Sequence, residues 1–399
     1  MVAYLDHAAS TPVRPEALAA FTSAIAQVGN PSSVHRHGQS ARALVEQARE
    51  DIASVIGCDP IEVVFTSGGT ESINLALVGL FRRSVEHDAK RNRIIVPEAE
   101  HHATLDTVLW LQRHEGAVLE WIPVDEHGRI DLAELEATLE RAGRATALAT
   151  MLWANNEVGT IQPVAEVAAL CARNEIPLHI DAVAAFGHEL IDFHQLRRDS
   201  DAPRNAGLVA LSISGHKFGA VPGVGALIVS REAQLEPLIH GGGQERGLRS
   251  GTLDAPAVAS MGAAALAVGR DFDAEHSRLT ALRDRIINEI RTCVPDAQLS
   301  GAEDGRIDNN VNFTFPGCQS DSLLFLLDGH GVSVSTGSAC QAGVAQPSHV
   351  LLAMGRDERG ASSALRISLG HSTTEAEIEE FLAALPEAVA RARKAGTTV

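Results

Sequence analysis

Between about residues 60 and 230, short apolar runs alternate with longer stretches whose apolar positions recur every three or four residues. The runs at 61–66, 93–97, 118–124, 148–153, 177–181, 208–213 and 223–229 predict strands, the first of them buried. A strand covered on both faces shows no polar alternation. Between them, 70–82 and 163–174 carry a helical period. The second opens on Pro163, whose missing N–H costs nothing in a first turn. Strands separated by helices predict an α/β fold with a mostly parallel sheet covered on both faces. Ligand sites in such sheets lie beyond the carboxyl ends of the strands. After Ala257 the texture changes. An alanine-rich helix leads into a long charged one over 277–290, then come strands near 310–315 and 332–335, then helices near 348–354 and 374–394. These predict a smaller α+β unit. The expected division is a large domain over 14–260 and a small domain made of 1–13 and 261–399.

Composition narrows the classes. The chain has 399 residues, enough for two domains, and its 45% hydrophobic content can fill large cores. A net charge of −18 argues against nucleic acid and anionic membranes as partners. The first residues carry no basic, apolar leader, and the longest apolar stretches, such as 261–268, are too short to span a bilayer. A cytoplasmic protein is expected. The five cysteines are widely spaced and never form Cys-x-x-Cys, which excludes a disulfide framework. There are 17 histidines but no His-Glu-x-x-His, and no metal site is expected.

Candidate chemistry gathers at the strand ends. Lysine occurs only at Lys90, Lys217 and Lys394. The first and last sit in charged, solvated surroundings. Lys217 follows an apolar run among Ser212, Ser214, Gly215 and His216. It suits either a surface turn or a Schiff base with a carbonyl cofactor. Thr66-Ser67-Gly68-Gly69-Thr70-Glu71-Ser72 opens a helix. It reads as a phosphate cradle at a helix N-terminus or as an ordinary cap with Thr70 at its head. Asp181 ends a buried strand and needs a cationic or hydrogen-bonding partner. A protonated pyridine nitrogen would serve, as would the N–H groups of the next turn. Asn155-Asn156-Glu157 ends another strand. A phosphate cradle, a pyridinium carboxylate and a Schiff-base lysine together point to pyridoxal 5'-phosphate (PLP) more strongly than any one of them.

With these motifs in place the sequence resembles the cysteine desulfurases of the iron–sulfur cluster type, which have the class V aminotransferase fold (PLP fold type I). The matching segments include 4–9, 29–33, 65–72, 100–103, 155–159, 214–217, 241–252 and 335–340, and the likeness spans essentially the whole chain. The resemblance implies that Lys217 carries the cofactor and that Asp181 pairs with its ring nitrogen. It implies His101 stacked on the ring and moving protons, with Asn156 near the ring oxygen. Gly69, Thr70, Ser214 and His216 would hold the phosphate, and Thr252 would reach the phosphate of a neighbouring subunit. Arg366, with Asn30, would grip the substrate carboxylate. Cys340 would receive sulfur from L-cysteine as a persulfide and pass it to an acceptor protein. One departure stands out. The family usually has Gln three residues after the Asp, touching the ring oxygen, and here Ala184 takes that place.

Two further expectations follow from composition. The residues around Cys340 are small, with almost no apolar anchor. The segment 241–252 is rich in glycine, with Arg246 and Arg249, and is expected to be ordered by another surface. With Thr252 at its end, this predicts a two-fold homodimer. Competing readings are a selenocysteine lyase or other class V enzyme, a weakly catalytic scaffold of a sulfur-transfer assembly, and a Cys–His hydrolase.

Overall fold

A computed structural model describes residues 2–337 and 346–396. The chain starts with a short strand, β1 (Ala3–Tyr4), and two helices, α1 (Pro15–Ile25) and α2 (Arg36–Ile56). The central sheet then forms from β2 (Val63–Thr66), β3 (Arg93–Pro97), β4 (Val118–Ile122), β5 (Thr146–Leu152), β6 (Pro177–Asp181), β7 (Gly207–Ser214) and β8 (Gly225–Val229). Its order is β2-β8-β7-β6-β5-β3-β4. The pairs β4–β3, β3–β5, β5–β6 and β6–β7 are parallel, whereas β8 is antiparallel to both neighbours.

Alternation along the strands feeds two cores. Ala149, Met151, Leu211 and Ile213 face one side, where α2 and the long helix α8 (Ala255–Cys293) lie. Leu148, Val209, Leu227 and Val229 face the other, against α3 (Gly69–His87) and α4 (His102–Glu115). Helices α5 (Leu132–Ala142), α6 (Val164–Arg173) and α7 (Phe193–Asp199) complete the crossovers. Gly262 lets α8 approach α2 closely, because a Cβ there would lie 2.6 Å from Ala48 Cα.

A third core gathers Leu5, Ile286, Ile290, Phe313, Phe315, Ile367, Phe381 and Leu385. It packs around β9 (Gln298–Leu299), β10 (Asn310–Thr314) and β12 (Ala364–Ser368), with β1 pairing in parallel with β11 (Val332–Ser333). Helices α9 (Ser320–Gly329) and α12 (Glu375–Gly396) cover it, while α10 (His349–Ala353) and α11 (Glu358–Ala361) pack in a small separate cluster with Ala99 and Val158.

Several elements differ from the sequence expectation. Residues 60–62 form a 3-10 turn, not strand, because Pro60 opens it and the Asp59–Glu62 capping box closes it. Pro163 is the N-cap of α6 rather than a residue of its first turn. The two helices expected after residue 257 are one helix of 39 residues. The shift from alanine to charge marks a change of surroundings, not a break. The segment 241–252 is anchored on its own chain. Glu245 is buried against Arg49 (2.7 and 2.9 Å) and accepts from Phe65 N (2.7 Å). Arg249 pairs with Glu71. These bonds hold Glu245 and Arg246 at φ 46° and 57°, left-handed positions that cost non-glycine residues about 1–2 kcal/mol each.

Candidate active site

A cavity of about 340 Å³ opens beyond the carboxyl ends of β5, β6 and β7. Gly69, Thr70, His101, Asn156, Asp181, Ser214, His216, Lys217 and Arg366 all line it. Asn30 and Thr252 do not. Both are exposed, and the Asn30 side chain accepts from Ser32 N (2.9 Å) in its own turn. Cys340 lies outside the described residues.

Lys217 ends the 3-10 turn Gly215–Lys217 that follows β7. Its Nζ donates to the carbonyls of Ala8 and Ala9, the latter at 3.0 Å. Burial pushes its pKa down to about 8, helped by the Arg366 charge and opposed by Asp6 and Asp181. The amine is therefore partly neutral near pH 7, as a nucleophile requires.

Asp181 is 2% exposed at the end of β6. Its Oδ1 accepts from Val183 N at 2.9 Å. Burial raises its pKa to about 6 against the pull of Val183 N–H and Lys217. A carboxylate so placed is ready for a cationic guest. Nearby Glu100 is 2% exposed, accepts from Leu152 N with Oε1 and has no partner for Oε2. Burial lifts its pKa to about 8.

His101 caps α4, its Nδ1 accepting from Ala103 N at 3.1 Å. The ring proton therefore sits on Nε2. Burial, then Lys217, lowers its pKa to about 4, so it is neutral near pH 7. His216 is lowered to about 4 by burial and Lys217.

Helix α3 begins at Gly69 with Gly68 as N-cap, so Thr70 is not the cap. No side chain caps this end, which leaves its N–H groups for a ligand. A Cβ on Gly69 would lie 2.8 Å from Val183 Cγ2 and 3.2 Å from Ser214 Cβ. Glycine there keeps the cradle open. Asn156 is fixed by its neighbour: Asn155 Oδ1 accepts from Glu157 N and Val158 N, and its Nδ2 donates to Ala99 O.

Arg366 reaches the cavity from β12 and is 5% exposed. Its Nη2 pairs with Asp6 (2.8 Å), its Nη1 donates to Asn156 O (3.1 Å), and its Nε has no partner. A buried guanidinium with an open donor suits a carboxylate. Sequence reasoning gave Asp6, Ala8 and Ala9 no role beyond membership of a motif. It also passed over Ser348, whose hydroxyl donates to Glu157 (2.6 Å) across the fold. No local spacing reveals either.

Residues 3–381 match the family described as aminotransferase class-V. The chain is 46% identical over 395 residues to an IscS-like cysteine desulfurase of Mycobacterium tuberculosis, covering 99% of this chain and 98% of that one. The chain belongs to the cysteine desulfurase family. Its fold matches a solved NifS-like protein with a TM-score of 0.87 and 33% identity, over 98% of this chain and 100% of the other. A structure titled SspA in complex with cysteine matches with a TM-score of 0.77 and 33% identity, over 93% and 99%. In this desulfurase-family chain the cavity thus brings nine of the proposed site residues together, from the carboxyl ends of β5, β6 and β7, the starts of α3 and α4, and the interior of β12.

Proposed function

We propose that the protein is a PLP-dependent cysteine desulfurase that converts L-cysteine to L-alanine and carries the sulfur as a persulfide on Cys340 to an acceptor protein. One observation carries the reading. Lys217, Asp181 and the uncapped start of α3 converge on one cavity, with the Arg366 guanidinium in its wall. The donor set fits PLP: a lysine with a lowered pKa for an aldehyde, a buried carboxylate for a ring nitrogen, and a glycine-lined helix start for a phosphate. PLP bound there would supply an aldehyde for Lys217 and an electron sink for the substrate's Cα.

The chain's own residues do the rest. Arg366 holds the substrate carboxylate. Lys217, freed as an amine, accepts the Cα proton. Neutral His101 offers Nε2–H over the cavity without adding charge. The Cys340 thiolate attacks the substrate sulfur, the C–S bond breaks, and cysteine plus enzyme thiol become alanine plus enzyme persulfide. The role of Cys340 rests on the Ser335–Cys340 motif. Exposed Thr252 is free to meet the phosphate of a second copy, so a homodimer with composite sites is part of the proposal, as is a cytoplasmic setting.

The test is mass spectrometry of the PLP-loaded protein after L-cysteine. Cys340 should gain one sulfur while alanine appears in equal amount. Cys340→Ser should bind PLP but hold no sulfur, and Lys217→Ala should form no alanine. A persulfide on another cysteine, or alanine from Lys217→Ala, would refute the assignment.

A further inference from the structure

One carboxylate in the cavity wall has no part in the chemistry above. Glu157 lines the cavity and is 3% exposed. A carboxylate buried that far needs donors. Its Oε2 accepts from the Ser348 hydroxyl at 2.6 Å, 191 positions along the chain. Ser348 is the N-cap of α10, and its Oγ also accepts from Leu351 N (3.2 Å). A serine hydroxyl has a single proton, and here Glu157 takes it.

The backbone around Glu157 is tied as well. Arg366 Nη1 donates to the carbonyl of Asn156, the preceding residue, and Asn312 Nδ2 donates to Glu157 O (3.1 Å). Arg366 in turn exchanges both backbone hydrogen bonds with Ser335 (3.1 and 2.7 Å), and Ser335 Oγ accepts from Gly337 N (3.1 Å). A Cβ on Gly337 would lie 3.6 Å from Glu157 Oε2 and the same distance from Asn312 Nδ2. Gly337 thus passes beside the carboxylate that holds Ser348. Asn312 pairs with Arg366 across β10 and β12, so these contacts rest on one strand pair and on the turn after β5. In the sequence Cys340 lies between Gly337 and Ser348.

We infer that Glu157 is a positioning residue for sulfur transfer. It ties the chain that enters the Cys340 segment at Gly337, and leaves it at Ser348, to the Arg366 and Asn156 frame that receives the substrate carboxylate. The inference rests on the Cys340 reading above. Fixing both approaches narrows the positions open to the thiol, and a misplacement of about 1 Å can cost as much as about 100-fold in rate.

Ser348 also caps α10, so the experiment separates the cap from the tie. Glycine keeps most of an N-cap's stability, threonine keeps both cap and hydroxyl, and leucine at 157 removes the carboxylate while leaving the cap. PLP-loaded protein is mixed with L-cysteine, quenched with acid within one turnover, and Cys340 is read by mass spectrometry for added sulfur. Ser348→Gly and Glu157→Leu should each slow sulfur gain by about 10-fold. The double variant should also lose about 10-fold and not about 100-fold, because both changes cut one tie. Ser348→Thr should stay within about 2-fold of wild type. The L-cysteine concentration that half-saturates the change in the visible spectrum should move by less than about 2-fold in all of them, since Arg366 is untouched. Wild-type rates in both single variants, or losses that multiply in the double, overturn this inference alone. So does a rise in the half-saturating concentration that accounts for the whole loss. If Glu157→Leu does not fold, Ser348→Gly against Ser348→Thr decides, and equal rates refute the tie. No sulfur on Cys340 of the wild-type protein overturns the Cys340 reading, and this inference with it.

Discussion

The lowered pKa of Lys217 makes a quantitative prediction about cofactor capture. An unburied lysine near pKa 10.5 is roughly one part in 3,000 neutral at pH 7. With the pKa pushed down to about 8, the neutral share is about one part in ten, a gain of about 300-fold in reactive amine. Burial is the largest cause, the Arg366 charge comes second, and Asp6 and Asp181 act against them. Two substitutions therefore have opposite signs. Arg366→Met removes a like charge, so the lysine pKa should rise and capture at pH 7 should slow. Asp6→Asn removes an opposing charge and frees Arg366, so the pKa should fall and capture should speed up. The assay is stopped-flow absorbance after mixing hydroxylamine-stripped protein with PLP from about pH 6 to 10. The wild-type rate should climb through about pH 8 and level off above it. A flat profile, or one inflection shared by all three proteins, would refute the electrostatic account.

Other consequences are open to measurement. Glu100 has a folded-state pKa of about 8 against an ordinary 4.5, so its ionisation costs stability as pH rises across that window. Glu100→Gln should therefore stabilise the protein more above pH 8 than near pH 5, and urea unfolding at both would show it; equal gains at the two would contradict the assignment. Glu245→Leu strands the buried Arg49 and should cost about 3–5 kcal/mol, while Arg49→Met with Glu245→Leu should recover most of that loss. Gly262→Val drives a side chain into Ala48 across the α2–α8 contact and should cost about 1–3 kcal/mol, read as a lower urea midpoint with little change in PLP content. Inactive Lys217→Ala mixed with an inactive Thr252 variant should regain part of the activity if sites are shared between copies; no recovery in a proven heterodimer would exclude composite sites.

Much of the sheet was legible because its strands are covered on both faces. Runs such as Leu148–Leu152 and Leu208–Ile213 carry no alternation to misread. The site residues at strand ends were legible for a related reason: a polar residue that stops an apolar run stands out. Helix boundaries were harder. The polarity change near residue 270 suggested a break in α8, yet the helix only passes from the large core to the small one. Helix α2 has its own period at Ala41, Val45, Ala48, Ile52 and Ile56, but it precedes the strand alternation that framed the large domain. The 241–252 segment looked unanchored because its anchor is an ion pair, and apolar content does not report one.

What the sequence hides is contact between distant parts of the chain. Asp6 meets Arg366 across 360 positions, and His188 meets Asp308 across 120. Both pairs follow from a single constraint, the charge of the cavity. Lys217 and Arg366 are cations taken out of water, and each such burial must be offset. The N-terminal segment does this with Asp6 on Arg366 and the carbonyls of Ala8 and Ala9 on Lys217. An incoming phosphate, ring oxygen and substrate carboxylate are all anionic, so they enter a site that offers them the start of α3 and Arg366 Nε. The segment 6–9 then becomes the natural counterweight: it satisfies the two cations and competes with anionic ligands for them. Weakening it by Asp6→Asn should therefore tighten binding of L-alanine to the PLP-loaded protein, and looser binding would show that Asp6 instead holds Arg366 in place for the substrate.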